Sequence, residues 1–151
     1  MTEAALAANA TAQAPAVIVQ LLEKLAVPYQ VRAERPGQPS EARLQAVLVD
    51  DAVGALLVLY PRNHLLDLSR LAELTGRQLT AVKPERLERM LGKHNLAALP
   101  GLPPLTSSPC LYDERLLDEP SVLVESGQSG ELLEIDSEHY KSVLLAKASA
   151  A

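Results

Sequence analysis

The chain predicts a mixed α+β fold: a barrel-like β-sheet of about seven strands with about four helices packed outside. Three observations lead there. Stretches of strand period and helix period alternate along the 151 residues. The strand runs stand too close together for repeated βαβ units. Hydrophobic residues make up 48% of the chain with no Phe or Trp, which calls for an aliphatic core of Leu, Val and Ala supplemented by four Tyr. This length suits one domain that buries about two thirds of its unfolded surface. The expected organisation is a single domain over 15–147, between a flexible Ala-rich tail over 1–14 and a short tail over 148–151. No internal repeat is visible.

The elements follow in order. The first 14 residues hold seven alanines, which favour helix but give no face to bury, so fraying is expected. Pro15 suits a first helical turn, and Val17, Ile18, Leu21, Leu22 and Leu25 recur at helical spacing until Val27 and Pro28 end the run. Tyr29, Val31 and Ala33 alternate with Gln30, Arg32 and Glu34 as in a half-buried strand, before Pro36, Gly37 and Pro39 break it. Residues 44–49 and 55–60 are apolar and β-branched, and the turn-like segment 50–54 joins them as a hairpin of central strands. Leu65, Leu68, Leu71 and Leu74 sit three apart; with Asp67 as cap and Gly76 as stop they predict a helix over 68–75. A strand over 78–82 comes next, then a helix from Pro84 through Leu87, Met90 and Leu91 to Gly92. Pro100, Gly101, Leu102, Pro103 and Pro104 exclude both helix and central strand. Short strands are expected over 110–112, 121–125 and 131–135, the last two joined by the turn 127–130, and Ser137 is the expected cap of a final helix over 140–146.

Charge and cysteine content narrow the function classes. A net charge of −5 and a pI near 5.2 repel a polyanion, which argues against non-specific nucleic-acid binding and leaves room for a local basic contact. DNA is not an expected partner. The single Cys110 excludes an internal disulfide and cannot build a metal site alone, so neither metal nor other cofactor is called for. The N-terminal residues lack the basic start and long apolar run of a signal peptide or membrane span. A cytoplasmic protein without a membrane partner, and a monomer, is the default expectation.

The order of motifs carries a resemblance. Ala46-Val47-Leu48-Val49-Asp50-Asp51, followed by Leu57-Val58-Leu59-Tyr60-Pro61-Arg62-Asn63-His64-Leu65-Leu66-Asp67-Leu68, is similar to a strand, turn, strand, proline and His-x-x-Asp-Leu segment of the YbaK family of aminoacyl-tRNA deacylases. Gly92, the Asp-x-x-Leu turn at Asp113 and Leu116, and the strand ending in Gly127 resemble later parts of the same pattern. The resemblance implies hydrolysis of the ester of a mischarged aminoacyl-tRNA, as in the related editing insert of prolyl-tRNA synthetases. It also implies an anchoring lysine on the strand over 44–49, a Gly-x-x-x-Pro loop around the aminoacyl group, and chemistry supplied largely by backbone N–H groups and the RNA's 2′-hydroxyl.

Three departures accompany it. Gln45 stands at the lysine position, and a neutral amide can hydrogen-bond a phosphate or carbonyl without neutralising it. The loop fits either Leu96 to Pro100, which lacks the glycine, or Gly101 to Pro104, which is one residue short. The helical segment before the lysine strand is cut down to residues 35–43. Gln45 at the catalytic position and His64, Pro100, Gly101, Pro104, Asp113 and Gly127 as substrate-binding residues are the resulting candidates.

Each candidate has a structural alternative. His64 suits a backbone-bonded position ahead of a helix, Asp67 a helix cap, and Asp113 a loop-ordering carboxylate with no basic partner nearby in sequence. Arg86, Arg89, Lys93 and His94 could form an RNA-phosphate stripe, but Glu85 and Glu88 are interleaved as on a solvated face. Thr106, Ser107 and Ser108 lack the surroundings of a nucleophile, Cys110 suits core packing, and the turn 127–130 suits a hairpin. Two readings remain: a deacylase with weakened activity, or a non-catalytic relative that binds an aminoacyl group, a nucleotide or a protein.

Overall fold

The computed structural model describes residues 15–33, 43–62, 64, 66–106, 108–128 and 130–150. The expected tail over 1–14, the shortened segment before Arg43, and Asn63, Leu65, Ser107, Ser129 and Ala151 lie outside the described residues. Among the described residues, four helices and seven strands form an α+β fold.

Helix α1 (Ala16–Lys24) buries Ile18 and Leu22, four residues apart on one face. Strand β1 (Gln30–Ala33) follows, then β2 (Leu44–Asp50) and β3 (Ala55–Pro61), which form the expected hairpin with Gln45 opposite Tyr60 and Val47 opposite Val58. Asp51 shapes the connecting turn by accepting from the N–H groups of Val53 and Gly54. Helix α2 (Leu68–Thr75) starts on Asp67, whose carboxylate accepts from Ser69 and Arg70 N–H groups, and stops at Gly76 in the left-handed region at φ 69°. β4 is reduced to Thr80–Ala81, shorter than the expected 78–82, although Val82 still donates to the Leu48 carbonyl. Helix α3 (Pro84–Gly92) spans its expected range. A 3₁₀ turn over Pro103–Leu105, β5 (Cys110–Tyr112), a second 3₁₀ turn over Glu114–Leu117, β6 (Ser121–Glu125), β7 (Glu131–Asp136) and helix α4 (Ser137–Ala150) complete the chain.

The strands divide into two sheets, ordered β1-β7-β6 and β4-β2-β3-β5, with a bridge between Arg43 and Leu123 where they meet. Among the described residues no closed barrel is seen, which corrects the barrel-like expectation: strand period predicts strands, but closure is decided by pairings between distant strands. The final helix begins at Ser137 with no gap after β7, and its first N–H groups, from Glu138 and His139, donate to Asp136. Asp136 is therefore the cap in place of Ser137, whose hydroxyl turns to the Glu119 carbonyl.

Alternation along β2 separates two cores. Leu44, Ala46 and Leu48 join Ile18, Leu22, Leu57, Leu59, Val122, Leu133 and Tyr140 in the main core. Val47 and Val49 turn to the other face, where Leu56, Val58, Leu71, Leu79 and Leu111 form a smaller core under α2. The four-stranded sheet is covered on both faces, which explains why β2 and β3 read as near-continuous apolar runs.

Candidate functional site

A cleft of about 380 Å³ opens between α2, the ends of β3 and β5, and the turn after β5. Val58, Leu66, Leu71, Leu74 and Leu111 supply apolar lining, and Tyr60, His64, Asp67, Arg70, Tyr112, Asp113 and Arg115 supply polar groups. Its location follows from the local sequence. Pro61 ends β3, the His64 N–H closes a turn onto the Pro61 carbonyl, and Asp67 then starts α2, so the chain folds back over the smaller core.

Both carboxylates of the cleft are engaged. Asp67 is occupied by the α2 N–H groups. Asp113 accepts from the Arg115 N–H and is gripped by the Arg115 guanidinium at 2.5 Å. That guanidinium, then the backbone N–H, and finally the smaller field of His64 hold the Asp113 carboxyl below the ordinary carboxylate range, against the effect of partial burial. Asp113 orders its loop, as its structural reading expects, yet it has a basic partner two residues on, which corrects the expectation of none. Burial raises the Tyr60 phenol, so its O–H stays protonated as a donor at neutral pH. Arg70 is exposed, and among the described residues its guanidinium makes no ion pair.

The sequence candidates fall into two groups. His64 and Asp113 line the cleft. Gln45 does not line it; half-buried, it lies opposite Tyr60, which does, and by alternation shares the face of Val47 and Val49. Pro100, Gly101 and Pro104 lie elsewhere: a Cβ on Gly101 would come within 2.2 Å of the Leu44 side chain, which belongs to the opposite face of β2. The Gly101 carbonyl accepts from the buried Tyr140 hydroxyl at 2.5 Å, and Pro100, Gly101 and Pro103 are all buried. Gly127, at φ +98°, packs against Leu96 and Pro15 and accepts from the Ala97 N–H. The loop over 100–104 and Gly127 are thus close-packed backbone on the main-core side, while Gln45, His64 and Asp113 belong to the other.

Sequence reading missed Tyr60, Arg70, Tyr112 and Arg115. The signal was present for Arg115, two residues after Asp113 where a guanidinium can fold back. It was absent for Arg70, which joins the cleft only because α2 packs over β3. Arg86, read as part of a basic stripe, instead pairs with Asp50 at 2.5 Å. Among the described residues, no group of three or more His, Cys, Asp and Glu side chains is placed to hold a metal ion, and no helix is long and apolar enough to cross a membrane.

A paired-sheet α+β scaffold with a mixed polar and apolar cleft beside a central hairpin defines the class, and comparison with known proteins identifies it. The family model for the aminoacyl-tRNA editing domain matches residues 26–143. This chain belongs to that family, of which YbaK is a member, as the motif order indicates. A solved structure of a proposed signal transduction protein from Marinobacter aquaeolei VT8 is 28% identical over 85% of this chain at a TM-score of 0.77, and this chain spans only 28% of that longer protein. A proposed trans-editing enzyme for prolyl tRNA synthetase, 23% identical, shares the fold over 85% of this chain and 90% of its own at a TM-score of 0.68. The hypothetical protein APE2540, 15% identical, does so over 83% and 92% at 0.66. No curated protein matches the chain.

Proposed function

We propose that this chain is a cytoplasmic trans-editing domain that hydrolyses the ester of mischarged aminoacyl-tRNA, with activity weakened by Gln45. Family membership over residues 26–143 is the observation that carries this reading. In the reaction, water attacks the ester carbonyl, the acyl–oxygen bond breaks, and the ribose hydroxyl leaves with a proton. Such chemistry needs an oriented water and donors aimed at the developing oxyanion, which backbone and neutral side chains can supply. Gln45 can donate from its amide to a phosphate or carbonyl oxygen but brings no charge. Losing a buried charge-assisted contact of this kind costs about 1.5 to 3 kcal/mol, or one to two decades in rate if the contact acts in the transition state. The packing of Leu44 against Gly101 also fits a loop closed onto the core rather than held open around a substrate.

A second reading is favoured by one specific finding: in the Marinobacter structure the matching fold makes up only 28% of a longer protein described for signal transduction. On that reading this chain is a non-catalytic module that binds an aminoacyl group, a nucleotide or a protein. A panel of mischarged tRNAs, including Ala and Cys on proline tRNA, separates the two. The deacylase reading expects release of free amino acid above the buffer rate from at least one of them. No release from any, with none gained by Gln45→Lys, leaves the binding module.

A further inference from the structure

We infer that the Tyr60 hydroxyl is a catalytic donor to the ester carbonyl oxygen, working with the Gln45 amide where the family pattern has an ammonium group. The inference rests on the editing-domain reading for its reaction and on the β2–β3 register for its geometry.

Register comes first. Gln45 stands directly opposite Tyr60 in the β2–β3 pair. Opposed residues share a face of the sheet, and their Cβ atoms lie about 4.5–5.5 Å apart. Tyr60 packs on the smaller core with Val47 and Leu111 and lines the cleft, so its ring lies on the Gln45 face of the hairpin. Tyr112, the other phenol of the cleft, belongs to β5, one strand further from β2. Among the described residues that line the cleft, Tyr60 is therefore the polar side chain directly opposite Gln45.

Both groups are uncommitted. Among the described residues, no hydrogen bond engages the Tyr60 hydroxyl or the Gln45 amide. The Tyr140 hydroxyl differs, because it is taken up by the Gly101 carbonyl. Burial raises the Tyr60 phenol, so it keeps its proton at neutral pH and can donate.

Charge explains why neutral donors matter here. Asp67 and Asp113 balance Arg70 and Arg115 in the lining of the cleft, and position 45 carries an amide instead of a cation. A negative oxygen formed beside Gln45 is met by aimed dipoles, which stabilise a developing oxyanion without needing a net charge. In the reaction, water adds to the ester carbonyl carbon and the π electron pair moves onto the carbonyl oxygen. The Tyr60 O–H and the Gln45 N–H donate to that oxygen without giving up their protons. When the pair returns, the acyl–oxygen bond breaks, and the ribose oxygen leaves with the proton lost by the attacking water.

The test is single-turnover release of amino acid from the mischarged tRNAs of the panel, measured with the full chain over a range of protein concentrations. Tyr60→Phe should lower the saturating rate about ten- to a hundredfold and leave the half-saturating concentration within about twofold, because the donor acts in the transition state. Tyr29→Phe, which removes a phenol packed on the main core, should leave the rate unchanged. In the Gln45→Lys background, Tyr60→Phe should cost less than about threefold, since the ammonium then serves the same oxygen. The urea midpoint of Tyr60→Phe should match that of wild type. No loss of rate, an equal loss in both backgrounds, or a loss that comes with a lowered urea midpoint overturns the inference and leaves the deacylase reading standing. Wild type at the buffer rate overturns the inference in any case; if Gln45→Lys releases nothing either, the deacylase reading falls with it.

Discussion

At the scale of single residues, ion pairs in this protein hold turns. The Arg77 guanidinium donates to both Asp51 oxygens and to the Gly54 carbonyl, tying the β2–β3 turn to the segment after α2. Hydrogen bonding from Arg77 is the largest influence and holds the Asp51 carboxyl far below its ordinary value of 3.8, outweighing desolvation. A lowered folded-state pKa means that the stabilising contribution is complete above the ordinary value and is lost as pH falls through the folded one. Asp51→Asn should therefore lower the urea midpoint at pH 7, with the gap to wild type narrowing as pH falls below 3.8. A gap that stays constant between pH 7 and pH 3 would show that the ion pair is not its source. Neither Asp51 nor Arg77 is legible as a pair in the sequence, because 26 residues separate them and only the packing of α2 brings them together.

Also at this scale, Asp67 is a cap whose role can be read directly from its place before Leu68, and the two N–H groups it accepts agree. Asp67→Ala should cost about 1 kcal/mol of stability in denaturant unfolding.

Among the elements, the hairpin β2–β3 and helices α2 and α3 were legible because their signals are local: apolar runs bounded by a turn, and helical spacing bounded by Asp67, Gly76 and Pro84. Barrel closure, the length of β4 and the start of α4 were not, since each depends on distant partners. The loop over 100–104 shows the same limit. Its prolines exclude an α-helix and a central strand, as found, although a 3₁₀ turn forms over Pro103–Leu105; nothing in them indicates that Tyr140 of α4 reaches the Gly101 carbonyl or that Leu44 presses on Gly101. Burial pushes the Tyr140 phenol well above its ordinary range, so this hydroxyl remains a donor. Tyr140→Phe leaves a buried carbonyl without that donor and should cost about 1–3 kcal/mol in urea unfolding. Gly101→Ala forces Leu44 to move and should cost a similar amount, about 1–3 kcal/mol, typical of overpacking. Wild-type stability in both variants would mean that the loop is not clamped as described.

Across the whole molecule, one sheet divides the candidates. The main core, with α1, α4, Gly101 and Gly127, lies on one face of β2; Gln45 and the cleft belong to the other. Sequence order identified the family because many short motifs in the right succession are collectively specific. It could not sort the candidate residues by face, since facing depends on the register of β2 against β3 and not on distance along the chain. Gln45 is where the two kinds of knowledge meet: motif order assigns it the position of a cation, and the fold sets it beside Tyr60 at the margin of an open cleft.

The most direct measurement is the rate of amino-acid release from mischarged proline tRNA by wild type and Gln45→Lys under identical conditions. Slow release by wild type and a gain of about ten- to a hundredfold in the variant is the predicted result. Release by both proteins at the rate of buffer alone would contradict the account.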